Sequence, residues 1–473
     1  MLNEKTSIDS VIAQAEHCHY PHEIILNKKH FQCTDSLRLL ANRRLVVKAR
    51  DNDGNQLVIK YFASNKKGQK DFKREQQGIA LIQKSDVRVP ELLDTVKKTA
   101  TGSALIFDYI PESQAFSLKD RPEKHISMLY ELMSRLHSAG MYQDDIHPDN
   151  ILMNPQGLTL IDLGTVGAFS DDSVASKEDS LDNLAKLVAQ FEVEYRPLLL
   201  ESLPSYFGSR GWVFTASDRV EFEQRLQQAW YTRKKQFLKK CFRDCTMTFY
   251  RQRFDWQVAA KREFWQQANI ESITDIEKQF AGGKVLKSGN TATVIKTQLA
   301  GRDVVIKRYN IKSLWHFLSR CWRSSRAANS WLSANLLEFI GISTAKPLAF
   351  IEHRFGPIRR TAYFISEYRA ADEMLVSYED RMPTESETQQ IQQIFSQLRQ
   401  MNIGHGDMKA QNLLVDEQGF IMLIDLDAMR EYSNDKKGAI AHFRDKKRFL
   451  KNWSNPELEA YFRVMLQRTD RKL

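Results

Sequence analysis

Residues 405–412 read His-Gly-Asp-Met-Lys-Ala-Gln-Asn, and residues 421–427 read Ile-Met-Leu-Ile-Asp-Leu-Asp. Earlier in the chain, residues 143–150 read Gln-Asp-Asp-Ile-His-Pro-Asp-Asn and residues 158–164 read Leu-Thr-Leu-Ile-Asp-Leu-Gly. Each pair of stretches holds an aspartate, an asparagine five residues on, and a second aspartate closing an apolar run. The first-to-last gap is 17 residues from Asp145 to Asp162 and 18 from Asp407 to Asp425. One Asp or Asn alone reads as a turn or cap residue. The ordered set, occurring twice, reads as an internal repeat.

The repeat extends toward the N-terminus of each copy. Residues 36–40, 44–50 and 56–62 alternate apolar and polar side chains, with Asp53-Gly54 as a hairpin turn. Residues 283–290, 291–298 and 302–309 do the same, with Gly289-Asn290 and Ala300-Gly301 at the joints. Lys60 follows Gly54 by six residues, and Lys307 follows Gly301 by six. A strand lysine is ordinarily a snorkelling surface residue. Ahead of an aspartate-asparagine-aspartate series, it reads instead as a phosphate clamp.

Lysine, aspartate, asparagine and aspartate in this order form the pattern of protein-kinase-like phosphotransferases. Phosphoryl transfer needs positioned phosphates, magnesium between their oxygens and a group that orients the attacking hydroxyl. Asp145 and Asp407 are the expected catalytic carboxylates, with His147 and Lys409 two positions later as cations near the transferred group. Asn150, Asp162, Asn412 and Asp425 offer the hard oxygens that magnesium prefers. Glu75, on a helix with Ile79 and Ile82 on its apolar face, is the expected partner of Lys60. Asp108-Tyr109 and Glu367-Tyr368 close apolar strands and mark the expected adenine-facing hinge of each copy. The predicted fold class is α+β. It comprises two tandem bilobal kinase-like modules, 1–280 and 281–473, each a small antiparallel β lobe plus a mostly helical lobe, joined near Ala281-Gly282-Gly283.

The copies differ. Gln143 stands where His405 stands in the second, so the first is expected to lack a loop-bracing histidine. The first hairpin has no glycine and the second has only Gly289, so neither wraps phosphates with a GxGxxG backbone. Counting back from the turn, Ser330 occupies the position of Glu75, and Glu338 lies two turns too late. The second copy also ends its metal loop Asp-Leu-Asp rather than Asp-Leu-Gly.

Length and composition place these modules in a globular protein: 473 residues, 42% hydrophobic and 27% charged. No apolar run reaches the roughly 18 residues of a membrane span, and the N-terminus lacks the basic-then-apolar pattern of a secretion signal. Five cysteines at scattered positions suggest no disulfide framework and fit a reducing cytoplasm. The net charge is +10; residues 281–473 carry 30 Lys+Arg against 21 Asp+Glu, and residues 1–280 carry 39 against 38. The second module is thus the one suited to an anionic partner. No basic-aromatic reading module for nucleic acid is present.

The second module resembles the lipopolysaccharide kinase (Kdo/WaaP) family across roughly residues 284–455. The resemblance is carried by VVIKRYN around Lys307, RSSRAANSW, GISTAKPLAFIE, YFISEY, GHGDMKAQNLL, LIDLDAM and DKKRFLKNW. The first is similar, more loosely, to the same superfamily of antibiotic phosphotransferases and atypical kinases, through QDDIHPDNILM and LIDLG. The resemblance implies a Gram-negative cytoplasmic enzyme that uses ATP and magnesium to phosphorylate a sugar of the lipopolysaccharide lipid A-core at the inner membrane. The family's usual glutamate is absent at Ser330. Two other readings stay open: a protein kinase, or a chain in which one or both modules bind ligand and regulate without chemistry.

Three further stretches carry expectations. Residues 222–256 are read as a basic amphipathic helix with Phe222, Leu226, Trp230, Phe237, Cys241, Cys245 and Phe249 near one face. That stripe is expected to pack on the large lobe in preference to a membrane. The basic-aromatic stretch 311–326 is the first choice for glycolipid contact. His17, Cys18, His19, His22, His30 and Cys33 cluster without a familiar zinc spacing.

Overall fold

The computed structural model describes residues 8–15, 22–99, 101–169, 174–271, 273–289, 291–310 and 324–470. The chain divides into two compact units, Met1–Trp230 and Tyr231–Leu473. Each holds an antiparallel sheet followed by helices and short hairpins, an α+β arrangement.

The first unit's sheet runs, edge to edge, His22–Leu26, Lys29–Leu40, Arg44–Arg50, Gln56–Phe62, Gly102–Asp108, Leu92–Thr99. Side chains alternate between faces along a strand. Leu45, Val47, Ala49, Leu57, Ile59 and Tyr61 therefore share one face, where they form a core with Ile8, Val11 and Ile12 of the helix Ile8–Gln14. Burying each large apolar side chain contributes about 2 kcal/mol. The opposite face carries Lys60, paired in register with Val46 and Leu105. The helix Lys66–Ile82 follows. Its N-cap Asn65 accepts from the Lys67 and Gly68 amides at 3.0 Å each.

The second unit repeats the order with additions. Its sheet runs Lys284–Ser288, Ala292–Leu299, Arg302–Tyr309, Ile358–Glu367, Pro347–Phe355, Trp256–Lys261, Thr248–Gln252. The first five strands match, in order, the last five of the first unit's sheet. Val304 and Ile306 face one core, whereas Tyr309 faces another with Ala327 and Trp331 of the helix Arg326–Ile340. Ala300 and Gly301 turn the hairpin with φ of 53° and 68°, the two left-handed positions of a tight hairpin.

The two added strands explain why the units do not divide at 280/281. Trp256–Lys261 pairs with Pro347–Phe355 and buries Trp256, Val258, Ala259 and Ala260 within the second unit. The helical periodicity expected to reach Phe249 stops at Lys240, where the helix Ala216–Lys240 ends. Cys245 and Phe249 lie beyond it, Phe249 on a strand whose TFYRQ sequence suits a pleat. Phe222, Leu226 and Trp230 are buried, and so is Cys241 just past the helix end, where it joins Ala259, Tyr309 and Trp331 in a core of the second unit and not the large lobe expected. No described helix is long and apolar enough to cross a membrane.

Candidate active sites

Each unit brings its aspartates and asparagine together with the same hydrogen bonds. In the first, the Asn150 side-chain amide donates to the Asp145 carbonyl at 2.9 Å, and the Ile161 amide donates to the Asn150 carbonyl at 2.8 Å. In the second, Asn412 donates to the Asp407 carbonyl at 2.7 Å, and Ile424 donates to the Asn412 carbonyl at 2.9 Å. The asparagine spends its N–H on the loop and keeps Oδ1 as an acceptor. The following aspartates adopt the same left-handed conformation, Asp162 at φ 58°, ψ 63° and Asp425 at φ 58°, ψ 55°. Such a conformation costs a non-glycine residue about 1–2 kcal/mol and persists only where the surroundings enforce it.

What enforces it differs in residue but not in position. In the second unit His405 Nε2 bonds the Ile424 carbonyl at 3.1 Å. In the first, the Gln143 amide donates to the carbonyls of Ile161 at 3.1 Å and Asp162 at 3.0 Å. The expected loss of a loop brace at Gln143 is therefore corrected: the glutamine side chain supplies it. Burial pushes the His405 imidazole below its ordinary value, so it sits neutral with Asp445 accepting from the His405 and Gly406 amides at 2.7 and 3.1 Å. In the first unit, Gln143 is tied onward through Asn183, which donates to its carbonyl at 3.0 Å and meets His137 Nε2 at 3.2 Å.

The lysines are held differently. Lys60 pairs with Glu75, as expected, and the Gly164 amide donates to the other carboxylate oxygen at 3.0 Å. Glycine is required on the facing helix, where a Cβ on Gly78 would lie 1.8 Å from the Leu163 carbonyl oxygen; a Cβ on Gly164 would lie 2.8 Å from Glu75 Oε2, the movable end of that side chain. Lys307 instead pairs with Asp425, and Asp427 lies 3.4 Å from it. Glu338 binds Lys261 of the added strand at 2.8 Å. Burial opposes the charge on Lys307, but Tyr309, Asp425 and Asp427 together push its pKa up. Burial likewise opposes ionisation of Asp425, and Lys307, with Arg326 behind it, outweighs it, so the carboxylate is held below its usual range.

Asp162 is also held ionised. Burial opposes this, and Lys60, Arg44 and Arg38 prevail. Arg38 and Arg44 reach its two oxygens at 3.4 and 3.3 Å from the strands flanking the glycine-free hairpin. The charged residues beside Asp407 and Asp145 differ as well. Lys409 lies 3.1 Å from Asp407 and Arg448 lies 3.8 Å from it, whereas His147 lies 3.7 Å from Asp149. Asp145 is exposed.

At the expected hinges, Tyr109 lies under the Lys48 ammonium at 4.3 Å and Tyr368 under Lys296 at 3.6 Å. Lys48 pairs in register with Val58, and Lys296 with Val305, two residues before Lys60 and Lys307 respectively, so this contact also repeats. Asp108 uses its carboxylate to accept from the Glu91 amide at 2.6 Å, and the Glu367 amide donates to the Lys346 carbonyl at 2.9 Å. Gly289 closes its turn by donating to the Ala292 carbonyl at 3.1 Å. Arg38, Arg44, Lys48, Lys296 and Arg326 were not read from the sequence, whereas Asp427 was expected there as a changed loop ending or an extra carboxylate, and its carboxylate lies beside Lys307. Of these, Lys48 and Lys296 were findable by aligning the strands of the two copies. Most of 311–326, together with His17, Cys18 and His19, lies outside the described residues. Among the described residues no group of three or more His, Cys, Asp or Glu is placed to hold a metal.

Residues 278–463 match the model of the lipopolysaccharide kinase (Kdo/WaaP) family. A solved structure titled WaaP in complex with acyl carrier protein is similar at 15% sequence identity and a TM-score of 0.33, covering 45% of this chain and 88% of that one. At that score the likeness is too slight to assign a fold. No curated protein matches the chain.

Proposed function

We propose that this chain is an ATP- and magnesium-dependent phosphotransferase acting on a sugar hydroxyl of the lipopolysaccharide lipid A-core, with the chemistry in its second unit. The observation that carries the reading is the set of Lys307, Asp407, Asn412 and Asp425 inside the matched stretch 278–463. The donor set fits magnesium. Asn412 keeps an amide oxygen free of the loop, and Asp425 is ionised at neutral pH. Bound there, magnesium would neutralise charge on the nucleotide phosphates. Lys307 would hold those phosphates, and Asp407 would orient the sugar hydroxyl and accept its proton. Lys409 and Arg448 beside Asp407 supply positive charge near the transferred group.

A second reading applies to the first unit. Its metal carboxylate is already paired with Arg38 and Arg44, and His147 lies beside Asp149. We propose that this unit binds ligand and regulates, and that it does not catalyse. Mass spectrometry of lipopolysaccharide from cells lacking the chain tests the substrate. The expected result is the loss of one phosphate from the core; an unchanged core would refute the glycolipid assignment.

A further inference from the structure

In the first unit the carboxylate beside the clamp lysine comes from the helix, Glu75, and the metal loop contributes Gly164. In the second unit the helix contributes Ser330 and the metal loop contributes Asp427, at the position of Gly164. A Cβ at Gly164 would lie 2.8 Å from Glu75 Oε2, so a side chain there would make the Glu75 carboxylate shift. Ser330 is small and buried, and its hydroxyl is engaged with the Tyr309 hydroxyl at 2.8 Å, so it offers Lys307 no charge.

Asp427 fills that gap. Its side chain is 8% exposed and lies 3.4 Å from Lys307, and Arg326 holds it from the first turn of the helix. The Asn329 amide donates to its carbonyl at 2.8 Å, fixing the loop against the same helix. A carboxylate this buried is tolerated because two cations surround it. In the first unit the Gly164 amide steadies Glu75; in the second, Arg326 steadies Asp427.

We infer that Asp427 is the positioning residue of the second unit: the carboxylate that aims the clamp lysine has moved from the helix to the metal loop, and Ser330 is the vacated position. This rests on the nucleotide-site reading of Lys307 given above. It makes the Asp-Leu-Asp ending and the missing helix glutamate one compensated change.

The test uses the full chain and an acyl-phosphate derivative of ATP, which acylates a lysine held against the bound phosphates. Peptide mass spectrometry then reads Lys307 and Lys60 separately in one sample. Asp427→Asn is expected to lower labelling of Lys307 by about tenfold, the scale of a mispositioned reacting group, with Lys60 unchanged. In turnover assays it raises the KM for ATP more than it lowers kcat. Ser330→Glu combined with Asp427→Gly is expected to restore labelling of Lys307 to within about threefold of the unmodified chain. Unchanged labelling in Asp427→Asn would overturn the inference, and so would an equal loss at both lysines, which reports general loosening. A double variant with a normal melting temperature but no recovery would overturn the equivalence of the two carboxylates. Absence of Lys307 labelling in the unmodified chain is a different result: it defeats the nucleotide-site reading itself and the inference with it.

Discussion

The Gln143 side chain donates to the Asp162 carbonyl at 3.0 Å and so holds a left-handed aspartate in place, the task His405 performs for Asp425 through the carbonyl of Ile424. Gln143→His keeps a donor near that carbonyl and is expected to leave stability within about 0.5 kcal/mol. Gln143→Ala leaves two part-buried carbonyls without their donor and is expected to cost about 1–2 kcal/mol. Urea unfolding of both variants checks this. Equal stability of Gln143→Ala and the unmodified chain would show that the brace is not needed.

The first unit should lose stability in mild acid. His137 is buried, with Nδ1 2.7 Å from the Tyr206 hydroxyl and Nε2 3.2 Å from Asn183 Oδ1. Burial lowers its pKa from 6.5 to about 4, with Arg210 adding to the fall and Asn183 opposing it. The unfolded chain therefore takes up this proton first as pH falls. The contribution is fully present above about 6.5 and is lost progressively between there and about 4, by about 3 kcal/mol in all. Melting temperature against pH should show a fall in this window that His137→Gln reduces. The same slope in both proteins would contradict the assignment.

Arg38 and Arg44 compete with any divalent cation for Asp162. Replacing both with alanine is expected to tighten manganese-nucleotide binding at the first unit by about tenfold, since opposite charges at this range are worth about 1 kcal/mol or more. Electron paramagnetic resonance counts bound manganese directly. Weaker binding in the variant would show that the arginines hold the phosphates rather than exclude the metal.

Truncated chains starting at Tyr231 and at Ala281 separate the two boundaries. The second lacks the strands Thr248–Gln252 and Trp256–Lys261, and with them buried Trp256, Val258 and Phe264. At about 2 kcal/mol for each large side chain, plus an exposed edge on Pro347–Phe355, it should aggregate. The chain from Tyr231 should unfold cooperatively, and if both do so equally the added strands are dispensable.

The parts legible in the sequence were those written in short local patterns. Lys60 and Lys307 follow tight turns by six residues, and Asp145, Asn150, Asp407 and Asn412 sit within one loop each. What was not legible depends on distant residues meeting. Asp427 reaches Lys307 across 120 positions, and Arg38 reaches Asp162 across 124. Gln143 was read as a loss because its type differs from His405, although its amide performs the same bond. The strands at 248–261 were hidden because apolar residues at helical spacing continue past Lys240 into a stretch that pleats.

In the reading proposed above, the second unit transfers phosphate and the first does not. Asp407→Asn and Asp145→Asn, each in the full chain, are assayed for phosphate transfer from ATP to purified lipid A-core glycolipid. Asp407→Asn should lower the rate by about a thousandfold, within the range of a lost acid-base group, and Asp145→Asn should stay within about threefold of the unmodified chain. Full activity in Asp407→Asn, or its loss in Asp145→Asn alone, would show that the second unit does not carry the transfer.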